Sequence, residues 1–114
     1  LATAIRIGNP VSGRKALAAI YDTGGHSATV TDDEIVNSQK LIAMKEGVFV
    51  EPASAASVAG IIKLRSQGII DKDEKVVAIC TGNGLKDPET AVKYSDQPIK
   101  CANSAEAVNE ILSR

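Results

Sequence analysis

Five apolar residues in a row, Val76 to Cys80, run without a break into Thr81-Gly82-Asn83-Gly84. A run of that length bounded by turn residues reads as a strand. Because it is apolar on both faces, it suits a parallel sheet covered by helices better than a sheet with one wet face. The turn that ends it sets a threonine hydroxyl at the strand's carboxyl end, and in open α/β sheets ligands bind in the crevice beyond those ends. A site at Thr81 on this reading requires Val76–Cys80 to be a central, buried strand. A helix or an exposed edge there would not deliver the hydroxyl to a crevice.

The rest of the chain alternates in the same spirit. Ala2 to Ile7 alternates like a short strand and stops at Gly8-Asn9-Pro10. Ala16, Leu17, Ile20 and Tyr21 have helical spacing, which predicts a helix over Arg14–Thr23 with Gly24-Gly25 as its C-terminal cap. Ser27–Val30 offers a brief strand. Thr31 and Glu34 then have the spacing of a capping box, opening a helix that runs to Glu46 and stops at Gly47. Val48–Val50 is a short buried-strand candidate leading into Glu51-Pro52, and proline suits the first helical position because its missing N–H would have no partner there anyway. A third helix should span Ala53–Gln67 and stop at Gly68. Its first turns hold almost only small residues, so a backbone or a ligand can come close. Asp71–Glu74 is a charged turn, and Asn103–Glu106 caps a last helix carrying Val108, Ile111 and Leu112. Alternating helices and strands predict an α/β fold, layered, with a mostly parallel sheet and flanking helices, over residues 1–114 as a single domain or a fragment.

Composition narrows what such a layer does. With 44% apolar residues in 114, one core can be filled. Lys and Arg (13) nearly balance Asp and Glu (14), and no basic run exists, which speaks against nucleic acid as a partner. No apolar run approaches the roughly 18 residues of a membrane span. Cys80 and Cys101 have no CxxC spacing and no secretory signal accompanies them, so the expected setting is the reducing cytoplasm, without a disulfide. The opening residues show neither Met nor a targeting pattern, which fits a fragment of something longer.

Two expected strand ends carry polar residues, Glu51 and Thr81. Each has an ordinary alternative: Glu51 complements the positive end of a helix dipole, and Thr81 starts a loop. The glycines of Thr81–Lys86 do not make a Walker loop, which needs four residues between its glycines and a hydroxyl after the lysine. His26 has no second histidine for a metal and reads as a solvated loop residue. Cys80 reads as a buried strand residue, and Cys101 has no basic surroundings that would mark a reactive thiolate. Asp32, Asp33 and Glu34 read as capping charges. No metal site and no complete catalytic set is visible.

Three segments in order, Ala2–Pro10 ("ATAIRIGNP"), Lys45–Ser57 ("KEGVFVEPASAAS") and Thr81–Pro88 ("TGNGLKDP"), closely resemble the C-terminal third of threonine synthases, pyridoxal-phosphate enzymes of the tryptophan-synthase-like fold. The likeness runs in register over about residues 1–95; Tyr94–Arg114 is generic. Asn83 stands where many members of that family have histidine. The resemblance implies that the chain is part of the large domain of that fold. It also implies the reaction, O-phosphohomoserine and water to threonine and inorganic phosphate. In it protons leave the α and β carbons, phosphate leaves the γ carbon and water adds at the β carbon, with the cofactor storing electrons.

By the match of motifs, Thr81 would set its hydroxyl against the cofactor's pyridine nitrogen, with Gly82 beside it. Glu51 and Ser54 would lie at the adjoining strand end and helix start, and Ala4, Ile5 and Gly8 would line the crevice. The family's Schiff-base lysine and glycine-rich phosphate loop are expected N-terminal to this chain; Lys86 belongs to the "GLKD" motif and is not that lysine. No catalytic residue is therefore expected here, and the chain alone should be inactive. Its partners would be the rest of the enzyme chain and the substrate, with room for a homodimer. Threonine or serine dehydratases share the fold and the "EPA" segment, and a stand-alone, non-catalytic α/β binding module is the alternative from a different class.

Overall fold

The computed structural model describes residues 1–113, and five helices carry its regular structure: α1 (Gly13–Thr23), α2 (Asp32–Glu46), α3 (Pro52–Ser66), α4 (Pro88–Tyr94) and α5 (Ala105–Leu112). Short 3-10 turns occupy Thr3–Ile5 and Gly84–Lys86. The helices begin and end where the sequence provides signals. Thr31 Oγ1 accepts the Glu34 N–H while the Glu34 carboxylate accepts the Thr31 N–H at 2.6 Å, so the capping box of α2 is complete. α2 ends at Gly47 with φ 66°, and α3 starts with Pro52 in its first turn and ends ahead of Gly68 with φ 72°.

α2 packs on α3, and this pair is the framework of the molecule. The buried face of α2 is Ile35, Val36, Ser38 and Gln39; that of α3 is Pro52, Ser54, Ala55 and Ala59. Small residues on α3 bring the helices close, and Ala2, Ile35, Val50 and Ala55 meet as the core, with Leu1, Val30, Ile42, Ala53 and Ala56 packed around them. Lys63 of α3 ties the far end: its Nζ lies 3.4 Å from Glu34 Oε1 and donates to the Thr29 carbonyl at 2.8 Å. The Thr31 amide, helped by Lys63, holds the Glu34 carboxyl below its ordinary value of 4.5. A group depressed in the folded state stabilises above its unfolded pKa and stops doing so as pH falls through the folded one. Helicity of α2, followed by circular dichroism, should therefore weaken as acidification proceeds below about pH 4.5, and Glu34→Gln should flatten that dependence.

Among the described residues no strand forms, so the expected parallel sheet is absent. Val76–Cys80 is irregular and faces solvent, with Val77 83% and Ile79 69% exposed, and Cys80 is exposed rather than buried. A segment apolar on both faces needs ladder partners at its edges and helices above and below. The described residues supply neither. Ala2–Ile7 coils into the 3-10 turn, Ser27–Val30 is irregular, and Val48–Val50 contributes one antiparallel bridge, Val50 to Asn83. α4 was not expected; its signal is Asp87-Pro88, with Asp87 Oδ1 accepting the Thr90 N–H and proline in the first turn. α5 matches its expected place, with Ser104 as the N-cap. Neither α1 nor α5 buries a residue. The Cα radius of gyration is 18.6 Å, against about 13 Å for a compact domain of this length. Much apolar surface is thus left open: Val11, Leu17, Tyr21, Met44, Leu85, Val92 and Ile99 are all exposed.

Candidate functional site

The loop before α3 and the loop after the Val76–Cys80 segment are clasped together by backbone. Glu51 N–H donates to the Gly82 carbonyl at 2.9 Å and Gly84 N–H donates to the Phe49 carbonyl at 3.0 Å, on either side of the Val50–Asn83 bridge. Both glycines permit a close approach. A Cβ on Gly82 would overlap the Glu51 carboxylate, and one on Gly84 would overlap the Phe49 ring. Behind the clasp, Gln39 of α2, itself buried, donates from Nε2 to the Val50 carbonyl at 2.7 Å.

Gln39 is a residue that sequence reasoning missed, since a lone glutamine in an amphipathic helix carries no signal of its distant partner. Removing its amide strands a buried carbonyl, which typically costs about 1–3 kcal/mol. Gln39→Ala is expected to lower unfolding stability by that amount in a urea titration, whereas an exposed neighbour such as Lys40→Ala should change it by less than about 0.5 kcal/mol.

The clasp brings four of the expected residues into one cluster. Ser54, in the first turn of α3 and 1% exposed, accepts the Gly82 N–H at 2.8 Å. Its Oγ lies 3.3 Å from the Gly82 carbonyl and 3.3 Å from Thr81 Oγ1. Thr81 itself is exposed, and its hydroxyl lies against that of the buried serine. Glu51 is the N-cap of α3, but its side chain makes no capping bond; the carboxylate lies over Gly82 instead. The site at Thr81 therefore does not rest on a central strand, as expected, but on this clasp and on the Ser54 hydroxyl.

The other expected residues lie apart. Ala4, Ile5 and Gly8 are exposed, and Ile5 lines a cleft with Val30, Ala56 and Gly60, beside the middle of α3 rather than its start. His26 is exposed, Lys86 is exposed in the second 3-10 turn, and Cys80 and Cys101 are free thiols at the surface. No group of three metal-ligating side chains occurs among the described residues, and none of their helices is long and apolar enough to cross a membrane. Chemically, the cluster offers the neutral hydroxyl of an exposed threonine beside a glycine backbone, with a carboxylate next to it. It holds no pair of groups arranged for proton transfer and no activated nucleophile.

The sequence profile of the pyridoxal-phosphate dependent enzyme family matches residues 1–82. The threonine synthase of Methanocaldococcus jannaschii is 58% identical over 112 residues, which is 98% of this chain and 28% of that protein. That of Methanosarcina acetivorans is 51% identical over the same share of each, and that of Synechocystis is 51% identical over 88% of this chain and 26% of its own length. The chain thus spans less than a third of the curated relatives it matches.

Proposed function

Because this chain belongs to the family of pyridoxal-phosphate dependent enzymes, we propose that it is the C-terminal part of a threonine synthase, and that it supplies the wall of the cofactor site facing the pyridine nitrogen. The observation that carries the reading is 58% identity to a threonine synthase across 98% of the chain. The coverage includes the whole of the Glu51–Ser54 and Thr81–Gly84 clasp.

The residues present fit one edge of pyridoxal phosphate. Thr81 offers an uncharged hydroxyl, exposed and free of any carboxylate bond, which suits a ring nitrogen that is an acceptor. When bound, the cofactor supplies an electron sink for charge developing on the substrate. Thr81, not ionised near neutrality, donates a hydrogen bond to that nitrogen without protonating it, whereas a carboxylate in its place would favour the charged ring. By leaving the ring nitrogen uncharged, Thr81 would favour loss of a leaving group over racemisation or transamination. Gly82, held by Ser54 and Glu51, fixes the backbone from which Thr81 projects. The lysine that holds the cofactor and the amides that bind its phosphate belong, on this reading, to the remainder of the enzyme. So does the cover for Val76–Cys80, which would become a strand once sheet neighbours flank it.

The substrate would be O-phosphohomoserine and the products threonine and inorganic phosphate. Product analysis of the intact enzyme tests this. Equimolar threonine and phosphate from O-phosphohomoserine is the expected result; ammonia and an oxoacid from threonine or serine, without phosphate release, would replace it with a dehydratase.

A further inference from the structure

Ser54 is too deeply buried, at 1% exposure, to meet a ligand itself. Its hydroxyl nevertheless sits at a junction. One lone pair takes the Gly82 N–H at 2.8 Å, and its single proton has two acceptors within reach, the Gly82 carbonyl and Thr81 Oγ1, both at 3.3 Å. The two acceptors differ in what they already hold. The Gly82 carbonyl accepts the Glu51 N–H at 2.9 Å and keeps one lone pair that Ser54 can also reach. Thr81 Oγ1 has no donor among the described residues except Ser54. Of the two, only the threonine oxygen has no other donor, and a hydroxyl that accepts has its own proton left for a further bond.

We propose that Ser54 is a positioning residue for Thr81: anchored by the Gly82 amide, it donates to Thr81 Oγ1 and so aims the Thr81 proton outward, at the uncharged ring nitrogen of the cofactor. The opposite polarity, with Thr81 donating inward to Ser54, would present only a lone pair to the ligand and could not bond an unprotonated ring nitrogen. The serine thus determines whether the threonine acts as a donor. This rests on the assignment of Thr81 to the ring nitrogen and goes one residue beyond it.

A double-mutant cycle in the intact enzyme tests the pair, using Ser54→Ala, Thr81→Val and both together. The readouts are cofactor dissociation constant and the nitrogen resonance of ¹⁵N-labelled pyridoxal phosphate. In the Thr81 background, Ser54→Ala should weaken cofactor binding about three- to tenfold, the equivalent of one hydrogen bond, and move the ring-nitrogen resonance toward that of a nitrogen without a donor. In the Thr81→Val background the same change should alter neither readout. Equal losses in both backgrounds, or none in the first, overturn the positioning role while leaving Thr81 in place. If Thr81→Val alone moves neither readout, the assignment of Thr81 falls and takes the serine with it. Ser54→Cys, nearly the same volume with a weak donor, runs the same cycle should the alanine variant not fold, and the same outcomes decide it.

Discussion

Thr81→Asp in the intact enzyme is expected to keep its cofactor and lose most of its chemistry, with phosphate release falling about tenfold or more and side products such as those of transamination taking a larger share. A carboxylate within hydrogen-bond reach of the ring nitrogen stabilises its protonated form, and each pKa unit gained corresponds to about 1.4 kcal/mol, a factor of ten in the equilibrium. On the proposed reading a protonated ring would be a stronger sink, and loss of the leaving group would have less advantage over the side reactions. Occupancy should survive, because most of the cofactor's anchorage would come from the phosphate-binding amides elsewhere. Thr81→Ser keeps the donor and should keep most activity. Thr81→Val keeps the shape and loses one hydrogen bond, about 0.5–1.5 kcal/mol. Phosphate release and side-product yield at equal occupancy separate the three. Parent-like rates and product ratios for both Val and Asp would mean that the threonine merely begins a loop.

The second large effect is an absence. The 114 residues alone are expected to show no synthase activity and no saturable, borohydride-stable attachment of pyridoxal phosphate to one lysine. On the proposed reading both anchors, the imine lysine and the phosphate-binding amides, lie in the remainder of the enzyme. Titrating the isolated chain with the cofactor and following absorbance near the imine band is the check. Stoichiometric attachment that reduction fixes on a single lysine would refute it.

How much of this was legible in the sequence depended on the range of the forces involved. Thr31–Glu34, Gly47, Pro52 and Gly68 act within a few residues of themselves, so the helix limits could be read directly; α2 and α3 fall within one or two residues of their expected ends. Asp87-Pro88 is as local a signal and was overlooked among the loop residues of "TGNGLKDP". The sheet was not realised because a strand is a statement about neighbours. Val76–Cys80 has the composition of a buried strand, yet nothing among residues 1–113 pairs with it, and its side chains lie open. The site was half legible. The motifs singled out Glu51, Ser54, Thr81 and Gly82, which the clasp unites; the same resemblance grouped Ala4, Ile5 and Gly8 with them, and of these Ile5 lies beside the middle of α3. That Ser54 stands behind Thr81, and that Gln39 holds the Val50 carbonyl across eleven residues, depend on tertiary approach that no spacing encodes.

If this chain forms the ring-nitrogen wall of a cofactor site, the lysine that holds the cofactor lies elsewhere in the enzyme. Borohydride reduction of the intact, cofactor-loaded enzyme, followed by digestion and mass spectrometry, locates the pyridoxyl label. One labelled lysine, outside these 114 residues, is expected. A label on any lysine of this chain, Lys86 above all because it follows the clasp, would contradict it.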